Sequence, residues 1–592
     1  MTLELRNDYF FMDEKPFWPI GFNHWPSSTG VHCWNQFNAE EWREDFLLMQ
    51  ARGYNTMRMF LLWEVFQPEE DRIDESMIAK LQQVCAIAQE IGVWLVPTIF
   101  QGWMSGTNFD PPWRRGRNHI CDESLRPAMV RLCKAVAEAL VPYSNILAID
   151  LANEINVICP DVNFAAIASW TQQLGDAIRE ARPGTLVFNG DAVPSAQARS
   201  KWSFEPQKVD VQSMHGYPVF WTPLPLGRLG NIRTSLVFGY MTAFAHAYGP
   251  VMREEFGTAI GGDSGLIGQF IRANCASSYL SGANGFLYWC WRDFASEELP
   301  YRHNPSEGTL GYLTAEGAVK DWSAGYDQFM HFLKEYGDYR PAPSDAGIYL
   351  TRNFKKLGDH GDVAMATAYE LMALNGVTPK VMAKLTDDVR LIVLPLAVFE
   401  IDEIKALQSF VENGGCVIAC EPNFKMTSHY WEALTGFRTI DMLRYSGKRR
   451  MRWDEEEILC DPMLSNTPAA VFESRREDAR VLVSEGDLPL VTSSKLGKGT
   501  IVQFILPIGD SDEREVCPSR LRIWRRLMEA SGYVAPISIT PAGCCQAGII
   551  QNSTGEQKIL AINHSNKPVT VQIQGLGREW NGTIEQKGFV VL

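Results

Sequence analysis

The stretch Ile149-Asp150-Leu151-Ala152-Asn153-Glu154-Ile155-Asn156 decides how the rest of the chain is read. From Ile146 to Leu151 it is nearly all apolar, the pattern of a strand buried in a parallel sheet. It then ends in Asn-Glu, where a strand should give way to a loop. Packing gives no reason for an acid there, whereas the carboxyl ends of the strands of a (β/α)8 barrel are where catalytic groups stand. Pro250-Val251-Met252-Arg253-Glu254-Glu255-Phe256-Gly257 repeats the design further along. Alone, an Asn-Glu reads as a helix cap or surface turn. Two acids at matching strand ends read as a pair facing each other across a barrel mouth.

Outward from these strands the chain alternates. Strands are predicted at 17–25, 55–62, 93–100, 146–151, 185–189, 209–214, 250–255 and 285–291. Helices are predicted at 40–52, 75–91, 123–141, 165–181, 232–247, 262–280 and 317–337. Gly53 and Gly92 stand where helices should stop. Eight such strands make an α/β chain with a (β/α)8 TIM barrel over residues 1–340. Long aromatic loops at 102–122, 216–231 and 293–316 fall on the catalytic rim. After the linker Tyr339-Arg340-Pro341-Ala342-Pro343, a second α/β pattern with a parallel sheet runs over 344–535. Short alternating runs such as Lys558–Asn563 and Val569–Ile573 make 536–592 a small antiparallel β domain.

The 592 residues are too many for one domain. A net charge of −15 argues against nucleic acid and anionic membranes as partners. No apolar run reaches the length of a membrane span. Thirteen cysteines without CxxC spacing suggest reduced thiols in a cytoplasmic protein, and no signal peptide is visible. The 18 Trp and 18 Tyr suit sugar rings, although aromatic residues mostly fill cores. Cys416 follows Gly414-Gly415, but Ile418 stands where an amidotransferase elbow needs glycine.

Paired carboxylates flanking a bond suit glycoside hydrolysis, in which one acid protonates the leaving oxygen and the other attacks or stabilises the anomeric carbon. Asn153 is placed to bind a sugar 2-hydroxyl. Glu254 and Glu255 compete for the second acid, because strand side chains alternate faces and one alone should point into the mouth.

Asn153-Glu154, Glu255-Phe256-Gly257, His215-x-Tyr217 and Trp289 together resemble clan A retaining glycoside hydrolases, particularly family 5. The resemblance implies Glu154 as acid/base and Glu255, not Glu254, as nucleophile. It maps Asn55-x-x-Arg58 onto the arginine that supports the nucleophile, His215 and Tyr217 onto the pair beside it, and Trp289 onto the platform under the reacting sugar. Phe100-Gln101 departs from the histidine that family 5 often carries after strand 3. Trp63-Glu64 and the later domains look more like family 42 β-galactosidases, whose amidotransferase-like middle domain makes trimer contacts. His24, Trp25, Trp63, Glu64 and Trp291 are further candidates for lining the sugar pocket. Each helper also has a bland alternative in core packing or a buried ion pair. The expectation is a retaining, exo-acting β-glycosidase that needs no cofactor or metal. A β-mannoside is its first-choice substrate, ahead of β-galactoside and β-glucoside, and a homo-oligomer, a trimer by preference, its assembly. A transglycosidase and a non-catalytic carbohydrate-binding protein are the rivals.

Overall fold

A computed structural model describes residues 3–592 except 102, 160–161, 163, 192–207, 219–223, 225, 260–264, 355–357, 397, 422–427, 445–448, 461–467, 487 and 509–514. Two compact units emerge, one from residues 1–222 with 248–338 and the other from 223–247 with 339–592.

In the first unit eight parallel strands follow one another around a barrel. They are β1 (Ile20–His24), β2 (Thr56–Phe60), β3 (Trp94–Gln101), β4 (Ile149–Asn153), β5 (Val187–Phe188), β6 (Gln212–Gly216), β7 (Val251–Phe256) and β8 (Ala283–Tyr288). All eight are buried throughout, and most of their length is apolar, with polar residues such as Arg58, Asp150, His215, Glu254 and Glu255 turned towards one another inside. Gly21 is required where β1 meets β2, since a Cβ there would stand 1.7 Å from the Thr56 carbonyl oxygen. The predicted fifth strand shrinks to two residues. Its seam with β6 carries one parallel bridge, Phe188 to Val211. Side chains complete that seam: Val187 N donates to Asp210 Oδ2 (2.8 Å), Ser213 N to Asn189 Oδ1 (2.7 Å) and Gly190 N to Ser213 Oγ (3.0 Å).

Helices α1 (Ala39–Ala51), α2 (Glu75–Ile91), α3 (Arg126–Ala139) and α4 (Phe164–Ala181) alternate with the early strands. Asn38 and Asp74 cap the first two, accepting backbone N–H bonds, and Gly92 ends α2 at φ +89°. The next helix, α5 (Ile232–His246), groups with the second unit. Its residues 233–245 are all buried, and Arg233 makes a two-pronged pair with Glu370 at 2.6 and 2.8 Å. Helices α6 (Gly265–Leu280) and α7 (Ser323–Glu335) return to the barrel. Residues 216–231 lie partly outside the described residues.

The second unit holds a seven-stranded sheet. Its first five strands in spatial order (Lys380–Met382, Ala346–Tyr349, Leu391–Leu394, Cys416–Cys420, Gly499–Phe504) are parallel. Leu488–Leu496 and Arg480–Glu485 then extend it antiparallel, so the expected parallel sheet is mixed. The chain ends in antiparallel strands, among them Gln557–Ile562 and Val569–Gly575, around the core of Ile539, Ala547, Ala561 and Ile573.

Candidate active site

Barrel register builds the site. Asn23 on β1 lies beside Arg58 on β2, Thr98 on β3 beside Asp150 on β4, and His215 on β6 beside Glu255 on β7. Arg58 is fully buried at the centre. Its guanidinium donates to Asp150 Oδ2 (2.7 and 3.1 Å), Asn153 Oδ1 (3.0 Å), Asn23 Oδ1 (3.1 Å) and Glu255 Oε2 (3.2 Å), and lies 3.4 Å from Glu254 Oε1. Burial works against its charge, but Glu254, Asp150 and Glu255 outweigh burial and fix the cation.

Glu154 is the first residue beyond β4 and has left-handed backbone angles, φ +49° and ψ +37°. Such a conformation costs a residue with a Cβ about 1–2 kcal/mol. Its N–H donates to the Gly190 carbonyl at 2.7 Å. His215 reaches Glu154 Oε1 with Nδ1 at 3.2 Å and Glu254 Oε2 with Nε2 at 3.3 Å, and its Nδ1 lies 3.7 Å from Glu255 Oε2. One carboxylate oxygen each from Glu154 and Glu255 and a ring nitrogen of His215 all lie within 4.8 Å of one another. Tyr217 donates its hydroxyl to Glu255 Oε1 at 2.6 Å.

Burial disfavours charge on His215, but Glu255 beside it and the bonds to Glu154 and Glu254 hold its pKa at about 10. Both ring nitrogens therefore carry protons near neutrality. The spacing of the three groups would also suit a metal ion, which would have to displace the Nδ1 proton. Burial lifts the Glu255 carboxyl above the usual value, with His215 opposing and Glu154 adding to the rise. Burial would also lift Glu254, yet Arg58 and His215 reverse that and hold it below the usual value. Burial and the Glu254 charge push Asp150 up to about 7 against the pull of Arg58. Neighbouring acids are thus driven apart in acidity by burial and by the cations between them.

No protein-family profile matches the chain. Among curated proteins it is 27% identical over 211 residues to a probable glucan 1,3-β-glucosidase A of Aspergillus fumigatus, covering 35% of this chain and 49% of that protein. A shorter stretch is 28% identical to human beta-galactosidase-1-like protein 2, covering 16% of this chain and 14% of that one. The chain thus spans half or less of the length of these relatives. Among solved structures, the exo-β-1,4-mannosidase Op5Man5 from Opitutaceae bacterium strain TAV5 superposes with a TM-score of 0.76 at 25% identity, over 90% of this chain and 98% of that one. The GH42 β-galactosidase Gan42B from G. stearothermophilus gives 0.72 at 13% identity over 97% of each chain, a likeness of fold. These structural neighbours are glycoside hydrolases.

The sequence-predicted residues divide by where the barrel places them. Arg58, Asn153, Glu154, His215, Tyr217 and Glu255 converge, as the bonds above show. Asn153 has both polar ends engaged, since its Nδ2 also donates to the Trp103 carbonyl at 2.5 Å. The alternation expected for Glu254 fails. Between Met252 and Glu255 the register slips by one residue against β6, and a matching slip occurs against β8. This bulge turns Glu254 and Glu255 to the same side, while Arg253 points out, to Asn274 (2.8 Å) and Ser278 (2.7 Å).

His24 and Trp291 are not pocket residues. Asn23 faces inward, so its neighbour His24 faces α1, where His24 Nε2 meets Asp45 Oδ2 at 2.9 Å and Trp291 Nε1 donates to Asp45 Oδ1 at 2.9 Å. Trp63 is fully buried against Phe100, Trp113 and His119, with its indole N–H on Gln67. Trp25 stacks on Phe60 at 5.2 Å, and Trp289 packs edge-on to the same ring at 6.0 Å. Glu64 is half-buried, and its carboxyl is raised by burial and then by Asp110.

Sequence reasoning missed Asn23, Asp150 and Glu307. Asp150 interrupts an otherwise apolar run, which was the available signal. Glu307 comes from the loop after β8. It accepts the Trp289 indole N–H and a bond from Ser105 Oγ at 3.4 Å, and burial, then Glu255, pushes it up to about 7.

Proposed function

We propose that the chain is a retaining β-glycosidase with Glu255 as nucleophile and Glu154 as acid/base. The observation that carries this reading is the His215 bridge, with the two carboxylate groups close enough to share one imidazolium. Retaining enzymes hold their carboxyls about 5–5.5 Å apart, whereas inverting ones leave about 6.5–9.5 Å for a water. Glu154 protonates the leaving oxygen as Glu255 forms a bond to the anomeric carbon. Glu154 then takes a proton from the water that releases the sugar. Arg58 and Tyr217 keep Glu255 ionised and aimed.

A β-mannoside is the first-choice substrate, supported by the likeness to an enzyme named as an exo-β-1,4-mannosidase. β-Galactoside and β-glucoside follow. Exo action is supported by the approach of two rim loops, where Ser105 bonds Glu307 and a Cβ on Gly106 would lie 3.1 Å from the Asn304 amide. We read the second unit as an amidotransferase-like domain that joins subunits, a trimer by preference, in a cytoplasmic enzyme. A panel of nitrophenyl β-glycosides, with the anomer of the first product read by NMR, tests the reading. Inversion, or no turnover on any sugar, would sink it, and a yield that shifts towards longer products with added acceptor would make the chain a transglycosidase.

A further inference from the structure

The residue before the nucleophile is a second, fully buried glutamate, and the β7 bulge turns it inward. Glu254 makes no approach to the open mouth comparable to that of Glu154 or Glu255. Its Oε2 faces His215 Nε2 at 3.3 Å, its Oε1 faces Arg58 Nε at 3.4 Å, and Ser213 bonds the same carboxylate. The opposite ring nitrogen of His215 is the one that faces Glu154 and Glu255.

We propose that Glu254 is a positioning residue that acts through His215: by accepting a hydrogen bond from Nε2–H it fixes the imidazolium, whose Nδ1–H then holds the oxygens of the acid/base and the nucleophile in register. This role rests on the glycosidase reading. The chemistry follows from the two ends of the ring. An imidazole that donates one N–H to a carboxylate offers a second N–H at its other nitrogen only as the cation, so a carboxylate that stabilises the cation fixes the ring plane and secures the second donor. The bulge matters because a regular strand would aim either Glu254 or Glu255 inward, not both.

Other titratable groups face this assembly from three strands and the loop beyond β6. Arg58 comes from β2, Asp150 and Glu154 from β4, and Glu255 from β7, with the Tyr217 hydroxyl beyond β6. Removing the Glu254 charge leaves Glu154 and Glu255 to sustain the His215 cation, so the cation should persist but weaken. Burial, which opposes it, would then carry more weight.

The test uses full-length protein with Glu254→Gln, which keeps an acceptor but no charge, and Glu254→Asp, which keeps the charge on a shorter arm. Imidazole resonances of His215, assigned by their loss in His215→Asn, are titrated by NMR. In the parent the ring should stay protonated to about pH 10. In Glu254→Gln its midpoint should fall by about one pH unit or more, the effect of losing an opposite charge within hydrogen-bond range. Kcat should drop about tenfold to a hundredfold, less than the 10²–10⁴ carried by an acid–base group, with KM within about twofold. Glu254→Asp should recover part of both. An unmoved His215 midpoint in Glu254→Gln, or a fall in KM alone, overturns the proposal. So does a Glu254→Asp variant no better than Gln. The titration needs no substrate, so it decides the Glu254–His215 linkage even if no β-glycoside is turned over, an outcome that would count against the glycosidase reading instead.

Discussion

Replacing Tyr217 by Phe should move the acid limb of activity upward, and the structure sets the size of the move. The substitution removes one hydroxyl and leaves the ring. That hydroxyl donates to Glu255 Oε1 at 2.6 Å in a site where Glu255 is 6% exposed, so water cannot readily replace it. A hydrogen bond to a charged group contributes about 1.5–3 kcal/mol. At about 1.36 kcal/mol per pKa unit, losing it should raise the Glu255 pKa by about 1–2 units. The sign follows from the role. Glu255 attacks only when ionised, burial already lifts it, and the Tyr217 bond holds it down. Tyr217→Phe should therefore shift the acidic limb of kcat/KM by about 1–2 pH units towards neutrality, with rates recovering once the pH passes the new midpoint. Initial rates on an aryl β-glycoside between about pH 4 and 9 read this directly. A limb that stays in place while activity falls equally at all pH values would refute the idea that Tyr217 acts by holding Glu255 ionised.

Glu154→Ala should lose about 10²–10⁴ in rate on poor leaving groups but little on activated aryl glycosides, and azide should rescue it as the β-glycosyl azide. Glu255→Ala should be inactive throughout, and a 2-fluoro glycoside should label Glu255; mass on Glu254 instead would reverse the assignment. His215 has a folded pKa of about 10 against an ordinary value of about 6.5, a raised value, so its stabilising contribution is whole below about pH 6.5 and is lost as pH climbs to 10. Urea unfolding of the barrel should accordingly weaken faster over that window in the parent than in His215→Gln, and equal slopes would contradict the linkage. Light scattering at micromolar concentration should give a multiple of 66.7 kDa, three by preference, and a monomeric mass would reject the assembly.

The barrel was legible because its strands are buried on both faces and its helices carry a 3.6-residue repeat, signals that survive without tertiary information. Glu154 and the Glu254-Glu255 pair were legible because an acid at the end of an apolar strand has no packing purpose, whereas Arg58, His215 and the choice of Glu255 came from the resemblance to family 5. What stayed hidden depends on register. No residue in Val251–Phe256 announces a bulge, so the alternation rule separated Glu254 from Glu255 when the chain joins them. The same rule, applied to Asn23 and His24, would have turned His24 outward correctly. Trp291 and Trp63 stood as candidates for lining the sugar pocket because composition cannot tell a ring on a rim from one beneath it. Glu307 lies in a loop whose path is set by contact with Ser105, and no local pattern encodes a partner so far away in sequence.

The seam between β5 and β6 ties the candidate site to a sparsely paired part of the barrel wall. Two residues of strand and a few side-chain bonds close it, so sub-global opening there should cost far less than unfolding the cylinder, and backbone amides at 187–190 and 211–213 should exchange with deuterium ahead of those in β2 or β3. Gly190 sits on that seam, and its carbonyl is what holds the Glu154 amide. Under the proposed roles, each opening should therefore release Glu154 while most of the fold persists. Heat should silence such an enzyme reversibly at temperatures where calorimetry still finds it native.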